Sequence, residues 1–187
     1  MSGFLTTGLR RLVQSNTILF ICDVQERFRP LIYNSETVIS KCAFLSTSMH
    51  TLDIPCIVTE QYPKAFGKTV PEILLHPTTQ VFEKKQFSML TEEVRAALSS
   101  SGRRQVVLCG IEGHVCVLQS AMELLDSGYE VHVVADAVSS QRCALRPSSG
   151  SAAHARQRPA CTERGSGHHH GGVSAVRDHA WRRPPQI

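Results

Sequence analysis

The stretch QVVLCGIEGHVCVLQSAMELLDSGYEVHVVAD, Gln105 to Asp136, decides the fold. It opens on QVVLCG, a short apolar run of the kind that forms a strand buried on both faces. A glycine-bounded turn follows. From about Val115 to Asp126 the apolar residues recur at helical spacing, and Gly128 closes the pattern as a helix stop. EVHVVAD, Glu130 to Asp136, then reads as a second strand. Two apolar strands joined through a whole helix make a crossover unit, so they run parallel and the crossover is right-handed.

Working towards the N-terminus, the same alternation repeats. NTILFICD, Asn16 to Asp23, is another unbroken apolar run, ending in an acid. SETVISKCAFLSTSMHTLD opens with Ser35 as an N-cap and places Val38, Cys42, Leu45, Met49 and Leu52 at helical spacing. IPCIVTE (Ile54 to Glu60) and TQVFEKK (Thr79 to Lys85) read as strands, the second after a connection containing VPEILLHP. TEEVRAALSSSG starts on Thr91, carries acids in its first turn and ends on Gly102, the grammar of a helix. The expected fold is α/β: a doubly wound parallel sheet with right-handed crossovers.

The chain of 187 residues, 42% hydrophobic, suits one domain with a substantial core. Residues 1–15 read as a lead-in, 16–141 as the domain and 142–187 as a divergent tail. No apolar run reaches the roughly 20 residues of a membrane span, so no membrane association is expected. MSGFLTTGLRRLVQSNTILFICD has Arg10 and Arg11 and no acid before Asp23, a faint likeness to a transit peptide. It runs straight into the first strand, which makes a cytoplasmic location the expectation and a mitochondrial or nuclear one the alternative. Seven cysteines, an odd number inside mostly apolar runs, point to buried thiols in a reducing compartment.

The net charge of +4 suggests nucleic acid until it is located. Residues 1–142 hold 13 Lys/Arg against 14 Asp/Glu, and residues 143–187 hold 7 against 2. The basicity therefore belongs to the tail, and no nucleic-acid partner is expected. From Gln141 onwards Arg, Pro, Ser, Gly and His replace the aliphatic residues, and neither strand nor helix periodicity continues. Such a composition cannot offset its ordering entropy, so the tail is expected to be disordered. His168, His169 and His170 lie between glycines with no carboxylate or thiol at ligand spacing, and RRPPQI reads as a solvated end.

In an open α/β sheet, ligands bind beyond the carboxyl ends of the strands near the point where strand order reverses. Three reactive side chains fall at such ends: Asp23, Lys84 and Cys116. Cys116 stands where a helix starts, a place that favours a thiolate. Read alone, Cys116 is more readily a small apolar residue of the first turn, Asp23 as readily a turn cap, and Lys84 by default a surface lysine. Dinucleotide binding has no support, since no G-x-G-x-x-G follows the first strand.

ICDVQERF, TEQYPKAFGKTVPEI, FEKKQFSML and LCGIEGHVCVLQSAMELLDSGYEVHVVADAVSS, in this order and spacing, resemble the isochorismatase-like cysteine hydrolase superfamily, within it the animal isochorismatase domain-containing proteins. The resemblance covers residues 16–141 and implies three α/β/α layers with strand order 3-2-1-4-5, the family's sixth strand being missing. It implies a catalytic triad of Asp23 as acid/base, Lys84 rather than its neighbour Lys85, and Cys116 as nucleophile. It also implies a cis peptide between Ile111 and Glu112, and an oxyanion hole made by the backbone N–H groups of Glu112 and Cys116. The implied reaction is attack of the Cys116 thiolate on a small amide or acyl compound through a covalent acyl-enzyme. By position, Phe28, Tyr62 and Phe87 are expected to line the substrate pocket.

Departures from the family narrow this reading. Nicotinamidases of the superfamily hold a metal with an Asp and two His after the second strand, and TEQYPKAFGKTVPE has no histidine. No metal and no other cofactor are expected. Enzymes that cleave isochorismate lack the nucleophilic cysteine, so Cys116 argues against that reaction. Family members add a helix, a sixth strand and a closing helix after ADAVSS, and residues 143–187 do not read that way. The chain is therefore expected to be an alternative isoform on an incomplete fold. The rival to an active hydrolase is an inactive isoform serving as an interaction scaffold, with a protein partner. Self-association into a homo-oligomer is a further expectation from the resemblance.

Overall fold

A computed structural model describes residues 11–141 and, as backbone, Val173–Ala175. Five strands, β1 (Thr17–Cys22), β2 (Cys56–Gln61), β3 (Gln80–Lys84), β4 (Gln105–Ile111) and β5 (Glu130–Ser139), form a parallel sheet in the order β3-β2-β1-β4-β5. Between them run α1 (Ser35–Thr51), the single turn α2 (Pro63–Phe66), α3 (Glu92–Ser100) and α4 (Leu118–Asp126). The expected doubly wound sheet is the one observed.

The central strands explain their own composition. Along β1, Leu19 and Ile21 enter one core with Val58, Val107 and Cys109, against Val38, Ile39 and Cys42 of α1. Ile18, Phe20 and Cys22 enter the other with Ile57, Val106 and Leu108, against Val94 and Leu98 of α3 and Ala121 and Leu124 of α4. Alternate side chains point to opposite faces, and both faces are covered by helices, so the positions after the first, Thr17 in β1 and Gln105 in β4, are all apolar. The same holds for β4, which is buried along its whole length.

Helix ends mostly follow the local signals. Thr91 caps α3 by accepting the Val94 N–H, and Gly102 and Gly128 take the left-handed conformation after α3 and α4, with φ of 66° and 77°. At α1 the structure corrects the expected cap: Asn34, at φ 49°, is the N-cap and Ser35 is already helical. Leu52 follows the last turn and is 51% exposed. β5 runs three residues beyond the expected strand, to Ser139, with a register shift against β4 between Leu108 and Gly110.

Beside β5 lies β6 (Val173–Ala175), paired antiparallel through His132, Val133 and Val134. Nothing in the tail's composition signalled it. Three residues are too few to show a period, and their pairing is set by the edge they meet. His168 to His170, RRPPQI and Arg10 lie outside the described residues, as does the rest of the tail apart from Val173–Ala175.

Strand order reverses between β1 and β4, because β1, β2 and β3 build outwards on one side while β4 and β5 build on the other. The crevice at this switch point opens at the ends of β1 and β4.

Candidate active site

Asp23 follows β1 in the left-handed conformation, φ 56°, which aspartate tolerates better than most residues. Its backbone N–H still bonds to the Thr59 carbonyl at 3.1 Å, so it remains tied to β2. Thr59 also donates its hydroxyl to Asp23 Oδ1 at 2.8 Å. Oδ2 meets Lys84 Nζ at 2.7 Å, with the two side chains 2% and 0% exposed.

Lys84 ends β3, two strands away from β1, and reaches Asp23 over β2. Three further oxygens hold its ammonium: Gln61 Oε1 at 2.7 Å, the Phe87 carbonyl at 2.8 Å and the Gln86 carbonyl at 3.1 Å. Burying two charges is costly and is offset only by close pairing and full hydrogen bonding. Lys84 has both. Lys85 is exposed, with its ammonium 5.8 Å from the centroid of the Tyr62 ring.

On the other side of the crevice, β4 approaches β1 through Gly110, which pairs in register with Cys22. At φ 129°, a Cβ on Gly110 would lie 2.2 Å from the Cys22 carbonyl oxygen, so this contact requires glycine. The chain then turns at Glu112, φ 58°, into a π-type turn, Gly113–Val117, ahead of α4. This corrects two expectations. Cys116 lies in that wide turn rather than in the first turn of an α-helix, and the Val117 N–H spans five residues back to the Glu112 carbonyl at 3.2 Å. The Ile111–Glu112 peptide is trans, like every peptide among the described residues. Left-handed backbone at Glu112 makes the turn for which a cis bond was expected.

Cys116 is 6% exposed, and its sulfur, the Cys22 sulfur and a carboxylate oxygen of Asp23 all lie within 4.8 Å of one another. Its carbonyl accepts the Ser120 hydroxyl at 2.6 Å, and Ser120 Oγ in turn accepts the Met89 N–H at 2.8 Å. Ser120 thus ties the cysteine turn to the loop after Lys84. Cys22 Sγ lies 3.5 Å from Asp23 Oδ2. Burial, then hydrogen bonding with Cys116 and the charge of Asp23, push the Cys22 thiol well above its ordinary range. Burial, with a smaller contribution from Cys42, pushes the Cys56 thiol up to about 12. Hydrogen bonding with Cys42, then burial, raises Cys109.

The structure brings Asp23, Lys84 and Cys116 to one crevice, although they are far apart in the chain. The three aromatic residues separate. Phe28 is buried in the core on the α1 side, stacked on Phe66 with centroids 4.6 Å apart. Tyr62 and Phe87 are 43% and 55% exposed.

The isochorismatase domain matches residues 17–161. The chain belongs to the isochorismatase family. Isochorismatase domain-containing protein 2 of Danio rerio is 48% identical over 138 residues, covering 72% of this chain and 68% of the relative. A protein of Phytophthora sojae named secreted isochorismatase effector Isc1 is 47% identical, covering 72% and 67% of the two chains. The chain spans about half, 48%, of isochorismatase domain-containing protein 1 of Salmo salar. A Caenorhabditis elegans structure named MAR1 ribonuclease superposes with a TM-score of 0.68 at 42% identity, covering 72% of this chain and 70% of that one. An octameric hydrolase of Escherichia coli superposes with a TM-score of 0.67 at 21% identity, a likeness of fold alone.

Sequence reasoning missed four residues of this isochorismatase-family site: Cys22, Thr59, Gln61 and Ser120. Cys22 offered a signal in its position beside Asp23 at the end of a central strand. Thr59 and Gln61 offered only their place at the end of β2, and Ser120, in the middle of a helix, offered none.

Proposed function

We propose that this chain is a cysteine hydrolase of the isochorismatase family acting on a small amide or acyl compound. The observation that carries the reading is the sealed Lys84–Asp23 pair at 2.7 Å with its carboxylate within 4.8 Å of the Cys116 sulfur. An acid, an amine and a thiol meet at the switch point of the sheet, the arrangement of an activated nucleophile.

Asp23 takes the Cys116 proton, and the sulfur attacks the carbonyl carbon of the substrate. The backbone N–H groups of Glu112 and Cys116 hold the resulting oxyanion. The C–N bond breaks as Asp23 returns the proton to the departing amine, which leaves a thioester on Cys116. Water, deprotonated by Asp23, then attacks the thioester carbon, and the C–S bond breaks to release the acid. Lys84, fixed by Gln61 and the two carbonyls, keeps Asp23 oriented and balances its charge. Accessible rings at Tyr62 and Phe87 favour a planar or apolar acyl group.

The test is the rate of iodoacetamide alkylation at each cysteine near neutral pH, together with turnover of a panel of small amides by the protein and by Cys116→Ser. Cys116 is expected to alkylate far faster than the other six cysteines, and Cys116→Ser to lose all turnover. If Cys116 in the folded protein reacts no faster than thiols of the denatured chain, the hydrolase reading fails and the scaffold role replaces it.

A further inference from the structure

We propose that Cys22 is a resolving thiol for Cys116, so that a hydroperoxide converts the pair into a reversible disulfide that shuts off and protects the nucleophile. The proposal rests on the reading of Cys116 as a reactive thiolate. Three observations support it. The two sulfurs lie within 4.8 Å of each other. A disulfide needs about 2.05 Å between them, and rotation of a cysteine about χ1 moves its sulfur by a comparable distance, so side chains can close the gap. Cys22 is also wholly buried at the end of a central strand, out of reach of solvent, while Cys116 is 6% exposed and can meet an oxidant. Finally, Asp23 Oδ2 lies 3.5 Å from Cys22 Sγ, positioned to accept the proton that Cys22 must lose.

The chemistry balances with one hydroperoxide. The Cys116 thiolate attacks the distal oxygen of hydrogen peroxide, the O–O bond breaks, and the departing hydroxide takes the proton originally lost by Cys116, giving water and a sulfenic acid. Cys22 passes its proton to Asp23, and its sulfur attacks the sulfenic sulfur. The S–O bond breaks, and hydroxide leaves with the proton from Asp23 as a second water. Two thiols are oxidised and one peroxide is reduced. Burial keeps Cys22 as the thiol until then, well above its ordinary range, so Cys116 is the sulfur that is oxidised first. The other described cysteines, Cys42, Cys56 and Cys109, are buried.

The experiment treats the full chain with hydrogen peroxide, digests it without reduction and maps cysteine peptides by mass, with fragmentation to separate Cys109 from Cys116. Alkylation rates of Cys116 are measured in parallel before oxidation. The expected result is a Cys22–Cys116 cross-linked peptide, two hydrogens lighter than the sum of its parts, that dithiothreitol reverses. In Cys22→Ser, Cys116 is expected to advance instead to the sulfinic acid, which dithiothreitol does not reverse. Cys22→Ala is the second variant should a buried serine hydroxyl prevent folding, and the wild-type cross-link needs neither. Fast alkylation of Cys116 with sulfinic acid in the wild type and Cys22 still free would overturn this proposal while leaving the hydrolase reading intact. Slow alkylation with no oxidation at Cys116 would overturn both.

Discussion

Replacing Lys84 with methionine keeps an unbranched stem of similar length in the buried channel and removes the ammonium. Asp23 would then keep only the Thr59 hydroxyl at 2.8 Å and the weak Cys22 donor at 3.5 Å, with its side chain 2% exposed. The carbonyls of Gln86 and Phe87 and the Gln61 amide oxygen would lose their shared donor. Breaking a buried pair by removing one partner costs about 3–5 kcal/mol, because the remaining charge is stranded. Urea unfolding of Lys84→Met near neutral pH should show a loss of that order. The double variant Asp23→Asn, Lys84→Met should be less destabilised than the two single losses added together, with a coupling of about 1–3 kcal/mol. A loss below about 1 kcal/mol, or additive single losses, would refute the claim that the pair is sealed from water.

The backbone contact at Gly110 leads to a second expectation: Gly110→Ala forces a Cβ to within 2.2 Å of the Cys22 carbonyl oxygen. Overpacking of about 1–3 kcal/mol should appear in urea unfolding, with slower alkylation of Cys116 as β1 and β4 separate. Unchanged stability would mean that the two strands do not meet as described. Alkaline stability provides a third. Cys56 is raised from 9.0 to about 12, so between these values the unfolded chain has lost a proton that the folded chain keeps. Its contribution is complete below pH 9.0 and declines as pH rises, by about 1.4 kcal/mol per unit. Urea midpoints measured across this window should fall more steeply for the wild type than for Cys56→Ala, and equal slopes would contradict the burial of Cys56.

The order of elements was legible because it is written in local periodicity. TILFIC and QVVLCG are apolar at every position after the first, as a strand covered on both faces requires, and the helical repeats between strands leave a parallel sheet as the simplest way to bury them. Thr91 and Gly102 mark the ends of α3 because capping depends on the residue itself and its nearest neighbours. Asn34 was missed as a cap because its left-handed conformation depends on how the preceding loop returns to α1.

The site divides along the same line. Residue type and strand ends were enough to point at Asp23, Lys84 and Cys116, and the resemblance gave each a role, yet nothing local distinguishes Lys84 from Lys85. The tertiary structure separates them: the strand alternation that sends Lys84 inwards sets its ammonium against four oxygens contributed by Asp23, Gln61, Gln86 and Phe87, while Lys85 faces water. The approach of Cys22 to Cys116 was likewise decided in three dimensions, since the two sulfurs meet only because β1 pairs with β4 at the switch point. Periodicity records which face of an element is buried. Which side chains share that burial is a property of strand order and register, and both are settled by contacts between residues far apart in the chain.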